Sequence, residues 1–328
     1  MTSIIGHSQQ REELSHLARQ KKLPSAILLS GIRGIGKTLV AHELARQMLC
    51  GLASEAPRGG CGQCRACALF DAGTHPDIHT LRCGKEDGAT VDDIRLLLEK
   101  MSLNAFMGGN KVAILVDADE ISTVGANVIL KSLEEPRPGN YFILVLANPS
   151  RLPSTILSRC QKFFFDSLST SEITAIMGAR GLPESSETLL LLADGSAASL
   201  DSLQVHGEMW QEAQDVIEKA WLGDAATIAK AAQDWGGDKG RLRERITLLR
   251  TAIRQKLLNH SDNAATSAVW ASGLQNVLDL EYLIFDRHVN PTLAILKTLQ
   301  SCDKALSDRL QVAPNSLPSL GEQLLDGR

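Results

Sequence analysis

Residues 31–38, Gly31-Ile32-Arg33-Gly34-Ile35-Gly36-Lys37-Thr38, match G-x-x-x-x-G-K-[ST] at every fixed position. The glycines let the backbone curl so that successive N–H groups point inward at phosphate oxygens. In such a loop Lys37 reaches the β and γ phosphates of ATP, and Thr38 offers its hydroxyl to Mg²⁺. The arrangement demands a strand before the loop and a helix after it. Both are present. Ile27, Leu28 and Leu29 form a short apolar run, and Leu39, Val40, Leu44 and Met48 recur at helical spacing. An ordinary glycine-rich strand–helix turn would explain the glycines but not Lys37-Thr38.

A second apolar run ends in a carboxylate: AILVDADE, residues 113–120. Asp117 is the expected second group on Mg²⁺. Nucleotide hydrolases of this kind usually place a glutamate next, to polarise the attacking water; here the next residue is Ala118. Asp119 and Glu120 come where the chain is already leaving the strand, so neither replaces it in an obvious way. Losing the group that orients water costs orders of magnitude in hydrolysis and leaves binding largely intact. The expectation is a site that holds ATP and hydrolyses it poorly.

Around these motifs the pattern alternates strand and helix. TVDDIRLLLEKMSL opens on Thr90 as a helix N-cap, with Asp92 and Asp93 in the first turn. Strands follow at 112–116 and in YFILVLA, separated by a helix through GANVILKSLEE that Pro136 and Pro138 stop. Such alternation predicts a parallel sheet covered on both faces. After FFFD at 163–166 the strand signal fades, and from 169 onward the chain reads as helices broken at Gly181, Gly195, Gly236 and Pro291. The fold class expected is α/β followed by all-α.

The 328 residues suffice for two or three domains, and a net charge of −4 excludes a global basic field for nucleic acid. No apolar run approaches the roughly 20 residues of a membrane span, and the N-terminus lacks the pattern of a signal peptide. A cytoplasmic location is expected. In a reducing compartment the seven cysteines point to metal binding or simple burial rather than disulfides. CGLASEAPRGGCGQCRAC sets Cys50 at a helix end and then Cys61, Cys64 and Cys67 at C-x₂-C intervals. Four thiolates so placed close a tetrahedral, structural Zn²⁺ site. The same spacing opens an iron–sulfur run, but that pattern wants a further Cys-Pro soon after Cys67, and ALFDAG supplies neither. Unligated thiols are the third alternative, with His75 and Cys83 as outside candidates for the fourth ligand. Cys160 and Cys302 read as buried small residues.

The phosphate loop, the cysteine knuckle after its helix, THPDIHTL (74–81), ANVILKSLEEP (126–136) and TILSRC (155–160) together resemble one family. It is the delta-prime subunits of bacterial DNA polymerase III clamp loaders, within the AAA+ superfamily. The resemblance runs from Ile4 to about Asp166 and continues weakly through the helical remainder. The related gamma/tau subunits share the knuckle but carry an Asp-Glu pair after their strand, so Asp117-Ala118 favours delta-prime.

The resemblance implies an AAA+ module over 1–166 with an inserted zinc knuckle at about 50–67. A three-helix lid over 167–205 and a helical collar over 206–328 would follow. In that family the collar joins gamma/tau-, delta- and delta-prime-type subunits into a five-membered ring that acts on a sliding clamp and primer–template DNA. Within Ser158-Arg159-Cys160, Arg159 would supply an arginine finger to the neighbouring subunit's ATP; taken alone it would be an ordinary surface ion pair. Asn148, ending the third strand, stands at the sensor-1 region. ADGSAASL (193–200) lacks the sensor-2 arginine of hydrolytic relatives, with Ala197 and Ala198 in its place. Unlike many delta-prime chains, this one keeps an intact phosphate loop.

Smaller features have plain alternatives. His7, after Ile4-Ile5-Gly6, is a candidate base-edge contact. The basic helix at 238–256 is a solvated or inter-subunit face, with direct DNA contact the second reading. A hydrolytically competent gamma/tau-type ATPase using Glu120, and a P-loop small-molecule kinase, remain the competing functions.

Overall fold

The computed structural model describes residues 4–53, 55–83, 88–107, 109–182, 190, 193, 195–200, 207–238, 240–260, 262–285 and 287–304. The chain divides into two compact units, residues 1–185 with 195–198, and residues 186–194 with 199–328.

In the first unit α1 (Ser8–Arg19), β1 (Ala26–Ser30), α2 (Lys37–Leu49) and α3 (Arg65–Asp71) come first. They are followed by β2 (Ile78–Arg82), α4 (Val91–Ser102), β3 (Lys111–Val116), α5 (Thr123–Glu134) and β4 (Asn140–Leu146). Then come α6 (Ser154–Leu157), β5 (Gln161–Phe164) and α7 (Thr170–Ala179). The strands form one parallel sheet in the order β2-β3-β4-β1-β5. β1 and β3 are buried at every position, as strands covered on both faces must be. Alternate residues Leu28, Ala113, Leu115, Phe142 and Leu144 pack with Leu97 and Met101 of α4 and Ile129 and Leu133 of α5. α2 contacts β1, β3 and β4 with its own buried residues Val40, Ala41 and Leu44.

Local signals agree with these elements. Thr90 caps α4 in a reciprocal box with Asp93, and α5 ends at Glu134, directly before Glu135-Pro136. Several elements escape the sequence reading. β2 is an edge strand with little burial, and α1 is a polar helix whose buried residues are Arg11, Leu14 and Ser15. The cysteine stretch runs into a further helix, α3, which carries Cys67. Of the lid expected over 167–205, α7 is described; much of the remainder lies outside the described residues.

The second unit is helical: α8 (Gly207–Trp221), α9 (Ala225–Gly237), α10 (Leu242–Asn259), α11 (Ala264–Phe285) and α12 (Pro291–Gln300). They enclose Trp235, Trp270, Leu249, Ile253, Leu280, Ile295 and Leu299. Trp221 stacks on Trp270 at 4.8 Å, and the Trp235 indole N–H donates to Glu212 at 2.7 Å. Gly236 lies inside the last turn of α9 rather than beyond it, and Pro291 opens α12, where its missing N–H costs nothing. On the basic helix, Arg243 covers the Phe285 ring, Arg245 pairs with Asp238, and Lys256 pairs with Glu218. Those charges are used within the unit. No helix among the described residues is long and apolar enough to cross a membrane.

His75-Pro76-Asp77, just before β2, holds a fully buried carboxylate in Asp77. Asp77 accepts the N–H groups of Phe106 and Met107 at 2.7 and 2.8 Å, tying the start of β2 to the loop before β3. Asp77→Ala removes two charged-acceptor bonds and strands two backbone donors, so a loss of about 3 kcal/mol is expected in urea unfolding. A change within experimental error would show that water serves these donors equally well.

Candidate functional site

The phosphate loop leaves β1 at Ser30 and enters α2 at Lys37, as its motif requires. Close approaches explain two of its glycines. A Cβ at Gly31 would collide with the Phe165 carbonyl beyond β5. Gly34 has φ +78°, and a Cβ there would strike Ser196 and Ala198. The segment 195–198 therefore lies against the loop, with the Ala198 N–H donating to the Gly34 carbonyl at 3.2 Å. This is the stretch where the sequence lacks a sensor-2 arginine.

Lys37 is buried, and its Nζ donates to the Gly31 and Ile32 carbonyls, each at 2.6 Å. Burial pulls its pKa down to about 8, against the pull of Asp119 and Asp117 upward. A buried cation folded back on the carbonyls of its own loop fits an oxyanion that would replace those contacts. Thr38 is the next residue of α2, and its carbonyl accepts from His42 at 3.1 Å.

Three carboxylates follow β3, and each has a different occupation. Asp117, in the left-handed region at φ 54°, accepts from Arg82 Nη1 at 2.8 Å. Asp119 is buried and accepts the N–H groups of Ala147 and Asn148 at 3.3 and 3.0 Å, joining the ends of β3 and β4. Glu120 pairs with Arg33 of the loop. Ala118 between them is 1% exposed and contributes only packing. Asn148 turns its side-chain oxygen toward the Ser150 N–H and hydroxyl, at 3.0 and 2.6 Å. His7, the candidate base contact, has its Nε2 2.9 Å from the Ile35 carbonyl, and its ring meets Phe165 edge-on. Arg11, which carried no sequence signal, grips Glu43 of α2 with two bonds and holds the Ile4 carbonyl.

Arg159 stands elsewhere on this unit, just past α6. It bonds the Thr155 carbonyl at 2.8 Å and pairs with Glu134 at 2.6 Å, at the end of α5. About a third of its side chain faces solvent.

The cysteines converge. The sulfurs of Cys50, Cys61, Cys64 and Cys67 all lie within 4.8 Å of one another, with Cys50 and Cys64 at 3.9 Å. Tetrahedral zinc thiolates imply about 3.8 Å between sulfurs, so the set has room for a single ion. Backbone N–H groups of Leu52, Cys61 and Cys67 point at these sulfurs, each at 3.4 Å. Burial alone would raise the Cys64 thiol, yet the N–H groups of Cys67 and Gly51 and the adjacent Cys67 and Cys61 thiols bring it to about 6. Burial, with hydrogen bonding to Cys64 and Cys50 and the charge of Cys50, pushes Cys67 up to about 12. Four thiolates cannot share so small a volume without a cation. His75 and Cys83 stand outside the cluster: His75 accepts the Asp77 N–H, and Cys83 packs in the sheet core.

A parallel sheet carrying a phosphate-loop motif on its first strand, with a four-cysteine knuckle behind the loop's helix, defines a P-loop α/β module. The family model described as DNA polymerase III, delta subunit, matches residues 6–169, half of the chain. The DNA polymerase III subunit delta' of Pseudomonas aeruginosa is 37% identical over 228 residues, covering 67% of this chain and 68% of that protein. The subunit delta' of Escherichia coli is 30% identical over 261 residues, covering 76% and 74%. The DNA polymerase III subunit tau of Bacillus subtilis is 33% identical over 175 residues, covering 53% of this chain and 30% of that protein. The chain belongs to the delta-prime subunit family of DNA polymerase III.

The packing of 195–198 on the loop has a direct check. Gly34→Ala must strain a positive φ and displace Ser196 and Ala198, so it should lose about 1–3 kcal/mol of unfolding stability. Unchanged stability would mean that the segment yields freely and does not brace the loop.

Proposed function

We propose that this chain is a clamp-loader subunit that holds ATP, hydrolyses it poorly and lends Arg159 to the ATP site of a neighbouring subunit. The observation that carries this reading is the allocation of carboxylates after β3. Ala118 is apolar and buried, Asp119 is committed to two backbone donors, and Glu120 is paired with Arg33. None of these side chains is placed to turn a water toward a γ-phosphate. The competing reading, a gamma/tau-type ATPase with Glu120 as base, needs that pair broken first. Gly31, Gly34, Gly36, Lys37 and Thr38 would hold the phosphates, with Asp117 and Asn148 along the same edge. In trans, a partly exposed guanidinium fits the task of Arg159, because it can leave Glu134 for a γ-phosphate only where a partner presents one.

The remaining assignments are part of the same proposal: a lid over 167–205, a collar over 206–328, and partners of the gamma/tau and delta types in a five-membered ring on primer–template DNA and its sliding clamp. Family membership supports them, as does a second unit made of helices.

Zinc is the ion proposed for Cys50, Cys61, Cys64 and Cys67, as a closed structural site without an open coordination position. Metal analysis of the purified chain should find about one equivalent of zinc. Iron with visible absorbance, or metal-free protein of unchanged stability, would overturn the assignment.

Arg159→Ala tests the function. Arginine fingers are worth about 10³ or more at their own site. The variant should still assemble, and the complex should lose part of its DNA-stimulated ATPase, because only one of several sites is affected. An assembled Arg159→Ala complex with full ATPase and clamp loading would end the trans-acting reading, as would rapid turnover by the isolated wild-type chain.

A further inference from the structure

The acidic edge of the phosphate loop is already met by this chain's own cations. Arg82 ends β2, in register with Val116 of β3, and so stands beside Asp117 as that strand ends. It donates to Asp117 Oδ2 at 2.8 Å, leaving Oδ1 outside the pair. Arg33 of the loop itself meets Glu120. Both arginines are accessible, with 64% of the Arg82 side chain and 48% of the Arg33 side chain in solvent, while Asp117 is 23% exposed. The carboxylate expected to face Mg²⁺ is thus engaged by an arginine supplied from the neighbouring strand.

We propose that Arg82 stands in for the metal at Asp117, so that this site takes the polyphosphate of a nucleotide without requiring Mg²⁺. The inference rests on reading the loop as a nucleotide site, and it names the form in which the ligand is taken. At P-loop sites the divalent ion neutralises charge between phosphate oxygens and a protein carboxylate. A bare Asp117 would repel an incoming polyphosphate, and Mg²⁺ would be needed to cancel that repulsion. A guanidinium on Asp117 cancels it beforehand. Arginine stays charged at any working pH, and it has further N–H donors beyond the one that Asp117 occupies. Mg²⁺ seeking Asp117 must compete with that pair. The same engagement accounts for weak hydrolysis in a second way, since an arginine cannot organise water as a coordinated metal does.

The test is calorimetric titration of the nucleotide-free, full-length protein with ADP and with ATP, in excess Mg²⁺ and in EDTA. For the wild type, removing Mg²⁺ should weaken binding only by roughly 3-fold or less, within what a partly exposed ion pair offsets. Arg82→Ala should raise that Mg²⁺ dependence by about 5-fold, and Arg82→Lys should restore most of the tolerance. Arg82 is solvent-facing, so the alanine variant should fold; an unchanged melting temperature checks this. A wild-type protein that loses binding in EDTA overturns the proposal, as does an Arg82→Ala variant with unaltered Mg²⁺ dependence. Failure of the underlying reading looks different: neither nucleotide would bind in either condition, and the proposal would fall with it.

Discussion

Strand β1 is hydrogen-bonded on both edges and buried at every position, and the chemistry of the first unit begins where it ends. Parallel strands bring all their C-terminal ends to one edge of the sheet, where their loops must meet. Register makes this concrete. Ser30 lies opposite Leu146 on one side and Phe164 on the other, and Val116 lies opposite Val145 and Arg82. The phosphate loop, Asp117, Asn148 and Phe165 therefore leave the sheet side by side. A strand free to slip by one residue would exchange its two buried faces. With both faces covered by helices, that exchange is closed off, and the site inherits the rigidity of the sheet.

What this edge holds is a set of matched charges rather than an open acidic cleft. Lys37 loses solvation and gains the carbonyls of Gly31 and Ile32; Arg33 takes Glu120, and Arg82 takes Asp117. Asp119 is spent on the backbone of Ala147 and Asn148, so it works as a brace between strand ends. Under the proposed function, the difference between a motor and a nucleotide-holding subunit would lie in the allocation of a few carboxylates, since the loop is complete in either case. On that reading Ala118 would be its visible mark, with Arg33 and Arg82 pairing Glu120 and Asp117 on either side.

Much of this was legible in the chain because it depends on local pattern. The loop declares itself in eight residues, the inner strands in unbroken apolar runs, and α4 in Thr90 with Asp93. The cysteines were legible because C-x₂-C brings ligands together over one turn, and Cys50 returns from the end of α2. β2 was not legible: Ile78-His79-Thr80-Leu81-Arg82 is a short edge strand, half open to water, with no period strong enough to separate it from a loop. Nor were the partners of Asp117 and Glu120, which are 35 and 87 residues distant and meet them only through sheet order. The roles of Asp117, Asp119 and Glu120 could not be separated by spacing either. A left-handed residue at Asp117 followed by a single 3₁₀ turn over Ala118–Glu120 turns three neighbouring acids in different directions.

The knuckle belongs to the same mechanical unit as the loop, because α2 serves both. Its N-terminus carries Lys37 and Thr38, and its C-terminus delivers Cys50. A divalent ion held by four thiolates would carry a net double negative charge, set at the helix end whose dipole is also negative. That placement is unfavourable unless a cation stands close by. Arg46, in the last turn of α2, is the one provided: its guanidinium is buried, grips both oxygens of Asp71 at 2.9 and 2.7 Å, and bonds the Gly59 carbonyl. The Asp71 bonds are the main influence raising its pKa, and the Cys67 and Cys50 sulfurs add to it. A lysine could supply the charge but could not span Asp71 and Gly59 together, since it lacks the planar fork. Arg46 thus fixes α3 and the loop at Gly59 to α2 while compensating the sulfurs, so the knuckle can sit on the helix end most hostile to it.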